Sequence, residues 1–313
     1  MKPARVVFMG SPEFAVPSLQ EMAARYDVAL VVTQPDRPAG RGRQLEPTAV
    51  RRAAAALGLE VFTCERGQRH ALESRLAALA PDVLVVVAFG LILKPSTLAL
   101  ARRGAVNVHA SLLPRWRGVA PIERAILAGD TETGISIMMI DAGIDTGPVL
   151  ARVAEAITPH DTRVSLTSRL ASRGAAALVG ALEEYLTGRL PAVPQAEAGA
   201  CYAPRLEKAA GALDWQRDAV ALWNQVRGLY EWPGAFTSIA GRVLKVHAAE
   251  PAAVPAGEVP GTIVEADPRG GVWVACGTGQ LMLREVQLAG KSRVEAAALV
   301  RGRVLCAGMH LGS

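Results

Sequence analysis

Short apolar runs alternate with helical patterns through the first two thirds of the chain, and this rhythm limits the fold more than any other feature. The runs are rich in Val and Ile and are typical of strands. They cover residues 5–9, 29–33, 60–63, 83–88, 105–109 and 134–140. Helical patterns connect them at 16–26, 48–57, 68–79 and 121–128. Alternating strands and helices predict an α/β domain with a parallel, doubly wound sheet.

The pattern changes near residue 188, where Pro and Gly interrupt the chain repeatedly up to residue 204. We interpret 1–188 as one domain, 189–207 as a linker and 208–313 as a second domain, because 313 residues suit two domains. Short strand patterns follow at 235–239, 242–248, 261–265, 271–275 and 281–288. They are separated by turn residues, which favours a small β-barrel. We expect the first domain to stay folded when residues 208–313 are removed.

Several classes of protein are disfavoured by the composition. The longest apolar run, 83–93, is too short to span a bilayer, and no secretory signal follows the N-terminal Lys2 and Arg5. We therefore expect a cytoplasmic protein with no membrane partner. The four cysteines are far apart and form no Cys-x-x-Cys pair, so we expect neither a metal site nor a disulfide framework.

The segment around Asn107 and His109 has the character of an active site. Residues on a strand alternate faces, so these two side chains are expected on one exposed side, while Val106 and Val108 point into the core. The strand ends directly after them, and ligands bind at the carboxyl ends of strands in open parallel sheets. A structural, strand-end histidine is the alternative for this pair taken alone.

Asp145 lies downstream in a turn bracketed by Gly143 and Gly147, from which it could approach His109. A carboxylate can orient an imidazole, and an Asn amide can donate to a developing oxyanion. These groups together suit acyl transfer to an amine. Because Ser111 lacks a Gly-x-Ser-x-Gly setting, we expect direct transfer without a covalent intermediate.

Two loops near the predicted strand ends offer binding groups. The first, at 9–17, lacks the Gly-x-Gly-x-x-Gly pattern, and its Glu13 would repel a pyrophosphate, so a dinucleotide cofactor is not expected. Phe14 in this loop could line an apolar pocket or simply pack. The second, at 34–52, contains five Arg against Asp36 and Glu46, which suits contacts with a phosphate backbone. A solvated surface loop is the commoner role for such a charge.

These motifs together resemble the signature of 10-formyltetrahydrofolate-dependent formyltransferases. The resemblance includes the loop Gln34-Pro35-Asp36-Arg37-Pro38-x-Gly40-Arg41-Gly42 and extends over nearly the whole chain, to Trp232-Pro233-Gly234-Ala235-Phe236-Thr237. Its central motifs are Asn107-Val108-His109-x-Ser111-Leu112-Leu113-Pro114, Arg115-Trp116-Arg117-Gly118 and Asp141-x-Gly143-x-Asp145-Thr146-Gly147. Two departures are visible: Phe89 precedes Gly90 where Tyr is frequent, and Gln44 follows Arg43 where a second basic residue is usual.

The resemblance implies a Rossmann-like doubly wound parallel sheet formyltransferase domain with a second, smaller OB-like β-barrel domain. Asn107, His109 and Asp145 match the catalytic positions of the family. Residues expected to hold the tetrahydrofolate are Phe89, Gly90, Ser111, Leu112, Leu113 and Pro114. Residues expected to contact the acceptor substrate are Phe14, Arg37, Arg41 and Arg43, the Arg41 loop entering the acceptor stem of the initiator tRNA.

The activity implied is transfer of the formyl group of 10-formyltetrahydrofolate to the α-amino group of methionine on initiator Met-tRNA. We expect no metal requirement and a monomer. Two alternatives remain open. A formyltransferase acting on a small amine, such as a nucleotide-linked amino sugar, would share the first-domain motifs. A non-enzymatic RNA-binding protein would explain the basic loop and the barrel, but would not require Asn107, His109 and Asp145 together.

Overall fold

The structure is a computed structural model that describes residues 3–39, 44–65, 67–254 and 257–312. It divides into two compact units. The first comprises Met1–Pro121, Glu132–Ala156 and Thr167–Ala203, and the second comprises Ile122–Thr131, Ile157–Leu166 and Pro204–Ser313. Two short segments from the first 188 residues thus belong to the second unit, and the first unit continues to Ala203.

The elements are numbered along the chain. The strands of the first unit are β1 (Arg5–Gly10), β2 (Asp27–Thr33), β3 (Arg37–Ala39), β4 (Gln44–Glu46), β5 (Val61–Thr63), β6 (Val83–Val87), β7 (Ala105–His109), β8 (Arg117–Gly118), β9 (Glu132–Met139), β10 (Val149–Ala156) and β11 (Tyr202–Ala203). The helices are α1 (Val16–Arg25), α2 (Ala49–Ala56), α3 (Arg69–Leu79), α4 (Pro95–Leu98), α5 (Pro121–Ala128), α6 (Arg163–Leu186), α7 (Ala219–Gly228) and α8 (Ala296–Arg301). The second unit adds β12 (Ala235–Ile239), β13 (Arg242–Ala252), β14 (Ile263–Asp267), β15 (Gly271–Ala275), β16 (Gln280–Leu288) and β17 (Val294–Glu295).

A seven-stranded sheet with the order β10-β9-β7-β6-β1-β2-β5 forms the centre of the first unit. The strands β5, β2, β1, β6 and β7 are parallel, which confirms the doubly wound prediction. The chain moves outward from β1 to β5 and then crosses to β6 on the other side of β1. The resulting switch point between β1 and β6 is where open sheets of this kind form a ligand crevice.

The last two strands differ from the purely parallel sheet that the sequence predicted. Both β9 against β7 and β10 against β9 are antiparallel. The nine residues between β9 and β10 are too few for a parallel crossover, which needs a dozen or more residues, so these neighbours can only run in opposite directions.

Strand β7 presents opposite faces to the core and to the candidate site. On α6, a Cβ atom added at Gly174 would lie 2.9 Å from Cγ1 of Val108, so this helix packs closely against the strand. Val106 and Val108 are buried. Asn107 and His109 therefore share the other side of β7, as the alternation predicted. Within the described part of the chain no helix, α6 included, combines the length and the apolarity needed to cross a membrane.

The second unit contains an antiparallel sheet with the order β12-β13-β16-β15-β14, to which β17 adds on β16. The C-terminal segment connects its two edge strands. Ile263 on β14 donates its N–H to the Met309 carbonyl, and Gly312 donates its N–H to the carbonyl of Ser238 on β12. The sheet is thereby closed around an apolar core that includes Leu222, Leu244 and Leu283. This arrangement confirms the predicted barrel.

Two small strand pairs were not predicted. The first, β3 with β4, flanks residues 40–43 in the basic loop. The second, β11 with β8, places Tyr202 beside Arg117 and Ala203 beside Gly118, and it uses residues that we had assigned to the linker. Strands of two or three residues are too short to leave an alternating pattern in a sequence.

The free cysteines lead to a prediction about thiol reactivity. Cys64 and Cys276 are buried, and burial raises the pKa of both thiols, that of Cys276 to about 12. The thiolate is the reactive form, so these two residues should react slowly at pH 8. Cys201 and Cys306 are partly exposed. We expect iodoacetamide to label Cys201 and Cys306 first in the native protein, as measured by peptide mass spectrometry. Denatured protein should be labelled at all four residues; rapid labelling of native Cys276 would contradict its burial.

Candidate functional site

His109 lies in the centre of a small polar cluster at the end of β7. Its Nε2 donates to the carbonyl of Trp116 at 2.9 Å, and its Nδ1 lies 3.6 Å from Oδ2 of Asp145. The loop after β7 folds back over the ring, so only 5% of His109 is exposed. The open histidine face expected from the strand pattern is therefore wrong for His109: the ring is covered, and both of its nitrogens face protein oxygen atoms.

The turn that carries Asp145 is held in part by its own residues. Oδ1 of Asp141 accepts hydrogen bonds from the Gly143 N–H at 3.0 Å and the Thr146 hydroxyl at 2.7 Å. A Cβ atom at Gly147 would lie 2.0 Å from the Met139 carbonyl oxygen, so no side chain fits there. Oδ2 of Asp145 accepts from the Gly118 N–H at 2.8 Å. The carboxylate is thus fixed between the Gly118 amide and the imidazole.

This turn approaches β7 from an unexpected direction. Because β9 is antiparallel to β7, the chain leaves β9 beside the beginning of β7, where Ile140 donates its N–H to the Ala105 carbonyl. The turn then reaches His109, at the other end of that strand. The site therefore lies against the side of β7, between the turn and the folded-back loop. The sequence had placed it only at the carboxyl ends of the strands.

Asn107 is the remaining member of the predicted catalytic set. It is half-buried on the same side of β7 as His109. Within the described ranges, its side-chain amide has no hydrogen-bond partner. An amide N–H without a protein partner, on the same side of the strand as an imidazole, can stabilise negative charge that develops on a substrate oxygen.

The residues from Ser111 to Pro114 form a tight turn that the sheet holds in place. The Ser111 hydroxyl donates to the Arg115 carbonyl at 2.6 Å. Ser136 on β9 donates its hydroxyl to the Ser111 carbonyl at 2.7 Å and accepts the Leu113 N–H at 3.0 Å. Ser111 and Leu113 are buried, whereas Leu112 and Pro114 are partly exposed. Only Leu112 and Pro114 could therefore offer their side chains to a ligand here.

The crevice between β1 and β6 is lined by main-chain and amide groups. The Phe89 ring is buried in the core, and its carbonyl accepts a hydrogen bond of 2.8 Å from Nε2 of Gln34. Gly90 has φ of 79°, and a Cβ atom there would lie 2.4 Å from the same Gln34 nitrogen. Phe14 is half-buried in the turn after β1. The Phe89 side chain thus packs inside the fold, and the absence of a side chain at Gly90 leaves room for the Gln34 amide.

Part of the charge of the basic loop is neutralised inside the protein. Arg51 donates to both carboxylate oxygens of Asp36 at 2.7 and 2.6 Å, and Arg52 pairs with Glu13 at 2.7 Å. Arg37 donates to the Gln34 side chain and, in the described part of the chain, pairs with no carboxylate. Arg41 and Arg43 lie outside the described residues. The excess of Arg counted in residues 34–52 therefore overestimates the positive charge that is available to bind an anion.

Several residues that build the site were missed by the sequence reasoning. Trp116 and Gly118 belong to the Arg115-Trp116-Arg117-Gly118 motif, so the sequence indicated that they lie near the site. It did not indicate that their main-chain groups contact His109 and Asp145. Gln195 carried no signal, because it lies in the Pro-rich stretch interpreted as a linker. Its Nε2 donates to the carbonyls of Asp145 and Gly147 at 2.8 and 2.7 Å. Among the described residues there is no group of three or more metal-binding side chains.

On the second unit, the outer face of β13 and β16 gathers polar and basic groups. Lys245 lies opposite Gln287, and His247 Nε2 contacts Oε1 of Gln287 at 3.1 Å. Gln287 also donates to the Lys291 carbonyl. Burial lowers the pKa of His247, and the charges of Arg293 and Lys245 lower it further. Arg293 pairs with Glu285, so Lys245 and Lys291 are the better candidates on this face for contact with an anion.

Comparisons with known proteins agree with this geometry. The chain matches the Formyl transferase family over residues 4–182 and the Formyl transferase, C-terminal domain family over residues 205–304. Its relatives include a methionyl-tRNA formyltransferase of Thiobacillus denitrificans, 50% identical over 99% of this chain and 100% of the relative. Another from Myxococcus xanthus is 45% identical over 98% of both chains.

Solved structures show the same fold at lower identity. A sugar 3N-formyl transferase crystallised with dTDP and 5-N-formyl-THF has a TM-score of 0.68 and 17% identity, over 93% of this chain and 100% of that one. An N-formyltransferase from Helicobacter canadensis has a TM-score of 0.67 and 18% identity, over 90% and 99% of the two chains. The chain therefore belongs to the formyl transferase family, and its relatives from Thiobacillus denitrificans and Myxococcus xanthus are both named methionyl-tRNA formyltransferases.

Proposed function

We propose that this enzyme transfers the formyl group of 10-formyltetrahydrofolate to the α-amino group of methionine on initiator Met-tRNA. The observation that supports this best is the contact of buried His109 with both Trp116 and Asp145, on the same side of β7 as Asn107. The relative from Thiobacillus denitrificans, which this chain matches over its full length, is named a methionyl-tRNA formyltransferase. We further propose that the protein acts as a monomer in the cytoplasm.

The amine of an aminoacyl ester is less basic than an ordinary α-amino group with a pKa near ~7.8, so a large neutral fraction exists at physiological pH. Its nitrogen attacks the formyl carbon directly. Asn107 donates to the oxyanion of the tetrahedral species. The bond between the formyl carbon and the folate nitrogen then breaks, that nitrogen gains a proton, and the new amide nitrogen loses one.

His109 is suited to supply the proton that the folate nitrogen gains. As an imidazolium it donates Nε2–H to the Trp116 carbonyl at 2.9 Å and directs Nδ1–H toward Asp145 at 3.6 Å. The second distance is beyond a good hydrogen bond, so this is the contact that opens most easily to a substrate or water. Asp145 orients the ring and accepts the amine proton through water.

The formyl donor and the acceptor substrate are bound by different sets of residues. The donor is held by the turn Ser111, Leu112, Leu113, Pro114 and by Phe89 and Gly90, with Ser111, Leu113 and Phe89 acting through main-chain groups. The acceptor is contacted by Phe14, Arg37, Arg41 and Arg43. The domain at 208–313 binds the tRNA backbone, and the domain at 1–188 carries out the transfer, with residues 189–207 between them.

An assay of acceptor choice tests this function against its main alternative. Purified protein and 10-formyltetrahydrofolate are mixed with Met-tRNA or with a nucleotide-linked amino sugar, and release of tetrahydrofolate is followed. We expect turnover with Met-tRNA alone. Turnover with the amino sugar alone would favour the small-amine alternative, for which the present support is a likeness of fold at 17–18% identity.

The Arg41 loop gives a prediction of its own. Arg41→Ala should weaken Met-tRNA binding and leave folate binding unchanged, because one phosphate contact is lost from the acceptor side only. Binding of labelled Met-tRNA at matched low salt measures the effect. Arg25→Ala is the control, since Arg25 pairs with Glu21 on the surface of α1. Equal affinity of the Arg41 variant and the parent for Met-tRNA would contradict the assigned role.

A further inference from the structure

Residues 191–203 are not a passive connection. Val193 and Val149 exchange two backbone hydrogen bonds of 2.7 and 2.9 Å, which fixes this segment beside the first residue of β10. Further along the segment, Tyr202 and Ala203 pair with β8. The segment is therefore attached on both sides of the Asp145 turn, and Gln195 lies between these attachments.

The Gln195 side chain uses all of its hydrogen-bonding capacity at the site. Its amide nitrogen donates to the carbonyls of Asp145 and Gly147. Its amide oxygen accepts from Nε and Nη2 of Arg117, each at 3.1 Å. An amide has two N–H donors and one oxygen with two acceptor positions, so every position is filled. Gln195 thus joins the Asp145 turn to a buried arginine on β8.

Arg117 is buried and is fixed by contacts of both its side chain and its main chain. Its side chain is 3% exposed, its Nη2 lies 3.6 Å from Glu197, and its N–H donates to the Cys201 carbonyl. The next residue, Gly118, donates its N–H to the Asp145 carboxylate. Arg117 therefore gives Gln195 a rigid partner, and both ends of Asp145, the carbonyl and the carboxylate, are tied to the same short strand.

Asp145 needs such support because its backbone has φ of 53°. This left-handed conformation is uncommon for residues with a side chain, although Asp adopts it more readily than most, and contacts from the surroundings help to maintain it. The hydrogen bond from Gln195 to the Asp145 carbonyl holds the main chain at this residue, and the Gly118 N–H holds its carboxylate. Without that bond, the turn can relax and the carboxylate can move away from His109.

We infer that Gln195 is a positioning residue for the transfer reaction, acting through Asp145. The tests of this inference that measure turnover rest on the proposed function, whereas a structural measurement of His109 does not. The polar groups of Gln195 are all occupied by protein partners, through which it holds Asp145 at the distance and angle that orient the His109 ring. A displacement of about 1 Å in such a group can cost roughly 100-fold in rate, so partial loss of its support should cost about 10-fold or more.

Two substitutions separate the positioning role from a structural one. Gln195→Ala removes both pairs of hydrogen bonds and should lower kcat about 10-fold or more, with little change in KM for either substrate. Gln195→Glu keeps the acceptor for Arg117 but places a carboxylate against two carbonyl oxygens. It should lower kcat at least as much while the protein stays folded. Gln20→Ala, the same change on the exposed surface of α1, is the control and should leave kcat unchanged.

The decisive test repeats Gln195→Ala in an Asp145→Ala background. If Gln195 acts through Asp145, the second substitution should change the remaining single-turnover rate less than about twofold, because the groups are coupled. An equal loss in both backgrounds, or full activity of Gln195→Ala and Gln195→Glu in a protein whose parent is active, would overturn the inference.

A spectroscopic measurement keeps the test independent of turnover. The ring nitrogens of His109 are observed by ¹⁵N NMR, with His109→Gln used for assignment. In Gln195→Ala the His109 signals should move toward those of Asp145→Ala. If they keep the parent values, Gln195 does not position Asp145. A parent protein without formyl transfer would reject the proposed function, whereas these signals would still decide the role of Gln195.

Discussion

His109→Ala should lower kcat for formylation of Met-tRNA about 100-fold or more while the protein remains folded, and Asn107→Ala and Asp145→Ala should have effects of similar size. Loss of a single group that stabilises a developing oxyanion commonly costs about 100-fold or more in kcat. Because we propose that the three groups act on one reacting centre, we expect KM for Met-tRNA to change far less than kcat. Rapid-quench measurement of formyl transfer under saturating donor reports this difference.

Because His109 is buried, its removal needs a folding control. His109→Ala leaves the Trp116 carbonyl without the ring nitrogen that now donates to it. His109→Gln can still donate to that carbonyl but cannot transfer a proton, so both variants should be inactive even if only the second is fully stable. His70→Ala is the matched control, since the His70 side chain is 88% exposed. Near-normal turnover in a folded His109→Ala protein would contradict the mechanism.

Reversing two charges on the second unit, Lys245→Glu with Lys291→Glu, should strongly reduce kcat/KM for Met-tRNA. Lys245 lies opposite Gln287 on the outer face of β13 and β16, and the Lys291 carbonyl, in the turn after β16, accepts a hydrogen bond from Gln287. Negative charge at these two positions would repel a phosphate backbone. Each lost phosphate contact should also lower the slope of log affinity against log salt concentration by about one. Binding of Met-tRNA at several salt concentrations measures both quantities.

Residues 208–313 contain eleven Lys and Arg against nine Asp and Glu, so the effect should depend on this face and not on overall charge. Arg269→Glu, in the turn between β14 and β15, is the control for a change of charge elsewhere on the unit. If it weakens Met-tRNA binding as much as the double variant does, the outer face of β13 and β16 is not a specific RNA contact.

Local sequence patterns were sufficient for much of this fold. The strand at Ala105–His109 and the helix at Pro121–Ala128 have the predicted bounds, because alternation of period two and apolar spacing of period 3.6 are local signals. The shared side of Asn107 and His109 followed from the same alternation. Antiparallel β9 was not foreseen, since strand direction depends on the path of the chain between the strands and leaves no mark in the strand itself.

The parts of the site that are formed by main-chain groups could not be predicted from the sequence. Neither the Trp116 carbonyl nor the Gly118 amide has a side-chain signal, and Gln195 is an ordinary residue in a Pro-rich stretch. Removal of residues 208–313 was expected to leave a folded domain. The structure makes this unsafe, because Arg227 donates to the carbonyls of Thr158 and Asp161, both within the second unit. Point substitutions are therefore the better test of the second unit.

The most direct test of the account compares Met-tRNA with free methionine as formyl acceptor at equal donor concentration. Both offer the same α-amino group to His109 and Asp145, but only Met-tRNA can use binding energy from remote contacts to orient that amine. We predict kcat/KM for Met-tRNA higher by orders of magnitude, with N-formylmethionine recovered after hydrolysis of the ester bond. Equal kcat/KM for the two acceptors, or no formyl transfer to Met-tRNA, would contradict the account.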